Sequence, residues 1–449
     1  MYKIFALFFV LIISTAALAD EISVTVYNSN LGVVSEIRKL KFEKGINDIS
    51  YRDVPSKIDA NSVRFEVINS NQKIDILEQN YAFDLVSPDK MYQKYIDKEI
   101  EMFNEDGKQY RGTLLAYNKG EITILEKSGS IKNVMLSKIN EVSFPSLPNG
   151  LITKPTLFWK YEAPASGEFD CNVSYQTGGM NWKAEYVAVL SDDETMLSLS
   201  GWAAIDNRSG KRYSDAKLKL IAGDINRNTY SKRIVRLDAV MAPMRVGQAG
   251  FDEKTFFEYH MYTLPRKTTL ADNETKQISL FEPASSRVEK IFKFKPEENP
   301  TQVAVVLEFK NSKKFGLGMP LPAGRVRLFK ADTDKSMVLL GEDMIKHTPK
   351  DEEMSLRVGY AFDIVGEAKV LDQKRISKQI EERTFQVEIR NRKSEKIIVE
   401  IERKLFGYWE IVETDREYEK KDANTIIFMV EIEADSTITV NYKVKYDFR

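Results

Sequence analysis

Residues 309–364 read FKNSKKFGLGMPLPAGRVRLFKADTDKSMVLLGEDMIKHTPKDEEMSLRVGYAFDI. The last part of this stretch decides the fold class. Met354, Leu356, Val358, Tyr360, Phe362 and Ile364 recur at every second position, with polar or small residues between most of them. A period of two sends alternate side chains to opposite faces of an extended strand. The pattern therefore predicts a strand with one apolar face. Upstream, Gly316-Leu-Gly318 and Pro320-Leu-Pro322 read as tight corners between strands, because Gly and Pro supply the backbone angles of turns.

The same period continues to the C-terminus. Phe385, Val387 and Ile389 alternate with polar residues, as do Ile397, Val399 and Ile401. Ile426, Phe428, Val430 and Ile432 come next, then Ile438, Val440, Tyr442, Val444, Tyr446 and Phe448. Antiparallel sheets packed on one face read this way. Two such sheets face to face make an immunoglobulin-like sandwich. Each buried Ile or Phe contributes roughly 1.5–3 kcal/mol, which makes the alternation a strong determinant of fold.

Outward from this region the rhythm persists. A chain of 449 residues accommodates about three domains of ~150 residues, enough to bury several cores. The reading is mainly β: several antiparallel β-sandwich domains with a small inserted SH3-like barrel. An N-terminal β domain is expected over residues 20–90, where Ile22, Val24 and Val26 alternate. Residues 93–145 carry four or five short runs separated by Asp106-Gly107, Asn118-Lys119-Gly120 and Ser128-Gly129, which fits the small barrel. Phe144-Pro-Ser-Leu-Pro-Asn-Gly150 reads as a linker. A further β domain is expected over 150–300, with a long loop near 231–258, and the C-terminal sandwich over 301–449. Pro88 to Glu101 is the best short helix candidate.

Lys3, the apolar run Ile4 to Ile13 and Ala17-Leu18-Ala19 form a secretory signal pattern, with cleavage expected after Ala19. The mature chain is expected to be periplasmic or secreted and to carry no transmembrane segment. Cys171 is the single cysteine, so no intramolecular disulfide forms; it alternates like a buried strand residue. A net charge of -1 with scattered Lys and Arg argues against a nucleic-acid partner.

Motifs that carry chemistry are sparse. The two histidines, His260 and His347, do not make a His-rich metal site, and no cofactor fingerprint is present. His347 follows Glu342 and Asp343 and precedes Asp351-Glu-Glu353. A general base oriented by a carboxylate has this composition, and so does a turn histidine bonded to backbone. His347, Glu342 and Asp343 are the candidate catalytic residues. His260, between Tyr259 and Met261, reads as a structural strand histidine. Asp206, Asp224, Glu342 and Asp363 lie near turn glycines, where a carboxylate pair could serve hydrolysis. Trp159, Trp182, Trp202 and the Tyr408-Trp409 pair suit either a core or a binding platform. Arg325-Val-Arg327 reads as the wet face of a strand.

Taken in order, Gly316-Leu-Gly-Met-Pro-Leu-Pro-Ala-Gly324, Leu340-Gly-Glu-Asp343, His347-Thr-Pro349 and Val358-Gly-Tyr-Ala-Phe-Asp363 resemble the C-terminal domain of a bacterial family of uncharacterised function shared with mucoidy-inhibitor-A-like proteins. Gly179-Met-Asn-Trp182 with Tyr186, and the turn Asn207-Arg-Ser-Gly210, extend the likeness, which covers roughly residues 154–449. The resemblance implies an exported protein, and it supplies no catalytic residue to carry over. Many relatives carry a coiled coil where residues 93–145 stand here, so a role tied to that segment does not transfer. The expectation is a non-catalytic binding or scaffolding component of the cell envelope, with an envelope protein or polysaccharide as partner. The alternative is an exported hydrolase acting on envelope glycan or peptide through carboxylates.

Overall fold

The computed structural model describes residues 21–68, 70–148, 150–223, 251–256 and 259–448. Ala19 with the expected signal segment, Asp224, and residues 231–250 of the expected loop lie outside the described residues. The backbone is mainly β, in five separate sheets among the described residues. The contacts divide it into two compact units.

One unit takes the described part of Met1–Asn181 together with Asp206–Lys219 and Arg266–Glu274. In its first sheet, Glu21–Tyr27 pairs with Gly32–Phe42, which pairs with Gly167–Thr177, which pairs with Ile58–Val67, all antiparallel. In its second, Thr156–Ala163 lies between Gly45–Arg52 and Asp75–Ala82. Aromatic rings join the two: Phe42 meets Tyr161 at 4.8 Å and Phe65 meets Trp159 at 5.5 Å between centroids. Cys171 is fully buried beside them, and burial pushes its thiol pKa up to about 12.

This pairing corrects the linear partition. A domain was expected to open at residue 150, yet Thr156–Ala163 is the middle strand of a sheet whose neighbours precede residue 90. A middle strand needs two partners, and both come from the N-terminal part of the chain. The intervening residues form a five-stranded antiparallel sheet in the order Ile139–Ser143, Glu99–Asn104, Gln109–Asn118, Glu121–Leu125, Ile131–Met135. It has its own core of Ile100, Met102, Leu114, Ile122, Ile124 and Val134. The helix before it is only Pro88–Lys94, shorter than expected. Ser87 caps its N-terminus by accepting from the Lys90 amide, with Pro88 in the first turn. Asp97 then takes a left-handed backbone and the chain turns into strand.

The second unit holds the described parts of Trp182–Ile205, Leu220–Pro265 and Thr275–Arg449. Part of the expected loop is strand: Asp252–Phe256 pairs with Tyr259–Thr263. A five-stranded sheet runs Glu274–Arg287, Met196–Asn207, Met180–Leu190, Gly324–Ala331, Met337–Ile345. The pairing of Met180–Leu190 with Gly324–Ala331 is parallel, as is that of Glu289–Phe294 with Ile397–Lys404. The sheets are thus mostly, not wholly, antiparallel.

A nine-stranded sheet completes this unit, in the order Tyr408–Thr414, Thr437–Asp447, Ile380–Asn391, Glu353–Arg375, Gln302–Lys310, Glu289–Phe294, Ile397–Lys404, Thr425–Ile432, Glu419–Asp422. It packs on itself: Phe428 of one end lies 5.2 Å from Tyr442 near the other, and Tyr442 stacks on Phe385. Val387, Ile389, Val399, Ile401, Ile426 and Val440 are buried in that core, as their alternation predicts.

The Met337–Ile345 strand closes the five-stranded sheet and touches the Glu353–Arg375 strand. Gly341 is required there: a Cβ on it would stand 2.0 Å from the Val358 carbonyl oxygen. Gly359 next to that contact has open space at its Cβ position. Gly341→Ala is expected to destabilise by about 1–3 kcal/mol through forced separation of the strands, and Gly359→Ala to change stability by less than about 0.5 kcal/mol. Equal urea midpoints for Gly341→Ala and the parent chain would refute the contact.

Candidate functional site

The Glu353–Arg375 strand takes two partners in succession. Its first part pairs with Gln302–Lys310 and its second with Ile380–Asn391. Between the matched pairs Ala304↔Tyr360 and Gln302↔Val365, two steps on one strand face five on the other. Ala361, Phe362 and Asp363 are thrown out of the ladder as a bulge, a device that re-aims side chains. Here the expected apolar stripe breaks. Met354, Leu356 and Ile364 are buried, whereas Phe362 is 96% exposed and Tyr360 44%. Alternation assumed an unbroken ladder, and the register change removes it.

Met337, Val338, Leu339 and Leu340 on the neighbouring edge strand are also exposed. Between this strand and the bulge lies a cavity of about 230 Å³. Leu190, Phe292, Val305, Leu307, Leu340 and Phe362 supply its apolar wall. Four charged residues reach it: Glu194, Lys290, Lys393 and Asp363. Lys290 pairs with Glu194, and Lys330 reaches the same carboxylate at 2.7 Å. These two ammoniums hold the Glu194 carboxyl below the ordinary carboxylate range. Lys393 pairs with Glu395. Both cavity lysines lie over the Phe292 ring, Lys290 at 5.9 Å and Lys393 at 5.4 Å. The Asp363 main-chain oxygen accepts from the Arg392 amide at 2.8 Å, while its carboxylate has no ion pair among the described residues.

The residues chosen from sequence sit nearby but do not converge. Glu342 accepts from Arg327 at 2.9 Å and lies 3.6 Å from Arg325; both arginines also bind Glu185 at 3.1 Å. Arg325 and Arg327 are thus the wet, charge-laced face of their strand. Asp343 points the other way, its Oδ2 accepting from the Arg357 amide at 2.7 Å, which ties the edge strand to its neighbour. His347 lies beyond the end of that strand, exposed, with Nδ1 accepting from the Ala323 amide at 3.1 Å. Roughly 10 Å of extended chain separates Glu342 from the strand's end at Ile345. His260 lies in Tyr259–Thr263 opposite Thr255. Asp206 is half-buried in Met196–Asn207. Trp159 and Trp182 are core residues; Trp202 and Tyr408 are exposed, and Trp409 donates to the Ala423 carbonyl at 2.9 Å.

Sequence reading missed a buried charge cluster in the other unit. Glu36, 1% exposed, accepts from Lys211 Nζ at 2.5 Å, from Tyr51 Oη at 3.2 Å, and from Arg38 and Tyr175. Arg38 also caps the Arg52 carbonyl at 2.8 Å and covers the Tyr51 ring. The signal was present: following the alternation Val34, Glu36, Arg38, Leu40, Phe42 puts both charges on the inward face.

No protein-family model matches the chain, and no curated protein matches it. Among the described residues no three His, Cys, Asp or Glu side chains gather as a metal ion would need, and no helix is long and apolar enough to cross a membrane.

Burial raises the Glu36 pKa, but Lys211 and Arg38, with the hydrogen bonds, outweigh it and hold the carboxyl below its ordinary value. A depressed folded-state pKa stabilises at every pH above the unfolded value and is lost as pH falls through the folded one. Glu36→Gln is expected to lose about 3–5 kcal/mol near neutral pH by leaving Lys211 buried without a counter-charge. That loss should shrink as pH is lowered below about 4. Urea unfolding of both chains across this range tests it; a gap independent of pH would contradict the assignment.

Proposed function

We propose that this chain is an exported, non-catalytic component of the cell envelope that works by holding a partner protein. The observation that carries the reading is the solvent-facing apolar surface of the second unit. Phe362 on its bulge and Leu340 on a sheet edge line one cavity, and Met337, Val338 and Leu339 of the same edge strand are exposed. Soluble proteins rarely leave contiguous large apolar side chains in water unless something covers them. Beyond the part that touches Glu353–Arg375 at Gly341, the exposed Met337–Leu340 part of this sheet edge offers its backbone to a partner strand. An envelope polysaccharide is the other partner class the sequence suggested; the run of exposed apolar side chains Met337–Leu340, with no polar residue among them, favours protein.

The signal pattern ending at Ala19 and the resemblance to the mucoidy-inhibitor-A-like family support export. In this reading the two-layered parts are immunoglobulin-like sandwiches and the 99–143 sheet an SH3-like spacer. The hydrolase alternative would need Glu342 and Asp343 released from the arginine and backbone bonds that engage them.

The test is chemical cross-linking and affinity capture from an envelope extract, with the mature chain and with a Phe362→Ser, Leu340→Ser double variant. The expected result is a protein retained by the parent chain and lost, by at least about tenfold, from the variant. Retention of nothing specific at low salt, or equal retention by both, would overturn the proposal.

A further inference from the structure

The geometry points to an extended partner segment in which a large apolar side chain stands next to a Lys or Arg, the apolar group entering the cavity and the cation meeting Asp363 and the face of Phe362. This deepens the binding reading above and rests on it. The argument is charge complementarity. Of the four charged residues that reach the cavity, Glu194, Lys290 and Lys393 already have ionic partners in the same unit. Asp363 is the one whose carboxylate has no ion pair among the described residues, and it is exposed. An acidic ligand would have to displace Glu194 or Glu395 from a lysine. A basic one has a carboxylate to hand.

Phe362 strengthens the preference. Its ring is 96% exposed, and it adjoins Asp363 on the same bulge. An aromatic face beside a carboxylate attracts a cation twice: through the ring quadrupole and through a charge-assisted hydrogen bond. The cavity of about 230 Å³ between the bulge and Leu340 is of a size for one large side chain and too small for a folded element. The extended form is set by the sheet edge: Met337–Ile345 ends its sheet, and a strand laid along its exposed part directs alternate side chains toward the cavity.

The test uses a random peptide library displayed on phage, selected on the full mature chain. Enrichment of sequences with Lys or Arg beside Phe, Leu or Trp supports the inference. So does a synthetic peptide of that sequence whose Kd weakens at least about tenfold with Asp363→Asn and with Phe362→Ser. Both positions are exposed, and circular dichroism checks that each variant folds. Enrichment of acidic or uncharged sequences, no enrichment, or equal affinity for Asp363→Asn would overturn it. So would light scattering that shows a dimer dissociated by Phe362→Ser, which makes a second copy of the chain the occupant. An envelope protein captured through Phe362 but indifferent to Asp363→Asn would leave the binding reading intact and reject this one.

Discussion

The site depends on a register mismatch. The Glu353–Arg375 strand cannot keep step with Gln302–Lys310 and then with Ile380–Asn391 without expelling residues where it changes partner. Backbone hydrogen bonds are obligatory in a buried ladder, and of the register shifts along this strand the widest falls where it changes partner. The Asp363 oxygen is recovered by the Arg392 amide, and the Gly366 amide by the Thr301 oxygen. Once those bonds are made, Phe362 has no inward face to occupy. In an unbroken ladder Phe362 would share the inward face of Leu356 and Ile364; the bulge between Tyr360 and Ile364 takes it out of that phase. Leu356 and Ile364 on either side of the bulge stay buried, and the Phe362 ring stays in water.

A comparable balance governs the first unit, where the problem is to join pieces of chain far apart in sequence. Glu36 lies on Gly32–Phe42, Tyr175 on Gly167–Thr177, and Lys211 on the separate stretch Asp206–Lys219. A buried carboxylate with this many donors is weak support for overall stability; what it does is tie three separate pieces of chain to one point. Asparagines do related work at strand ends. Asn207 donates to the carbonyls of Lys211, Leu270 and Ala271. In the second unit Asn391 donates to those of Glu395 and Glu433, and Asn311 to those of Met319 and Pro349. All three are buried. Each closes loop carbonyls that a sheet cannot reach, consistent with the rule that buried polar groups are paired.

How much the sequence disclosed depends on which interactions are local. Alternation is local, so Val387, Ile389, Val399 and Ile401 were legible as core, and Cys171 as a buried thiol. Pairing is not local. Nothing in Thr156–Ala163 announces that its neighbours are Gly45–Arg52 and Asp75–Ala82, so the discontinuous first unit was out of reach of any reading that moves along the chain. Phe362 was misplaced for the same reason: its face is set by Gln302 and Ala304, some sixty residues earlier. Glu36 differs. It was legible in principle, because two charges on the inward phase of an apolar strand must find each other or a distant counter-charge.

The candidate catalytic group shows how proximity in sequence misleads on a strand. Glu342 and Asp343 are neighbours, so the pleat sends them to opposite faces, one into an arginine ladder and the other across to the Arg357 amide. His347, past the strand's end, has its own backbone donor in Ala323. A cluster of acids and a histidine in a helix would have a repeat that returns side chains to one face within four residues. In a strand only every second residue returns, and a turn then re-aims the residues beyond it. The same pleat explains why the surface that does converge, Leu340 with Phe362 and Asp363, is assembled from two strands rather than one. Convergence in a β protein is built across the ladder, and here it is built where the ladder fails.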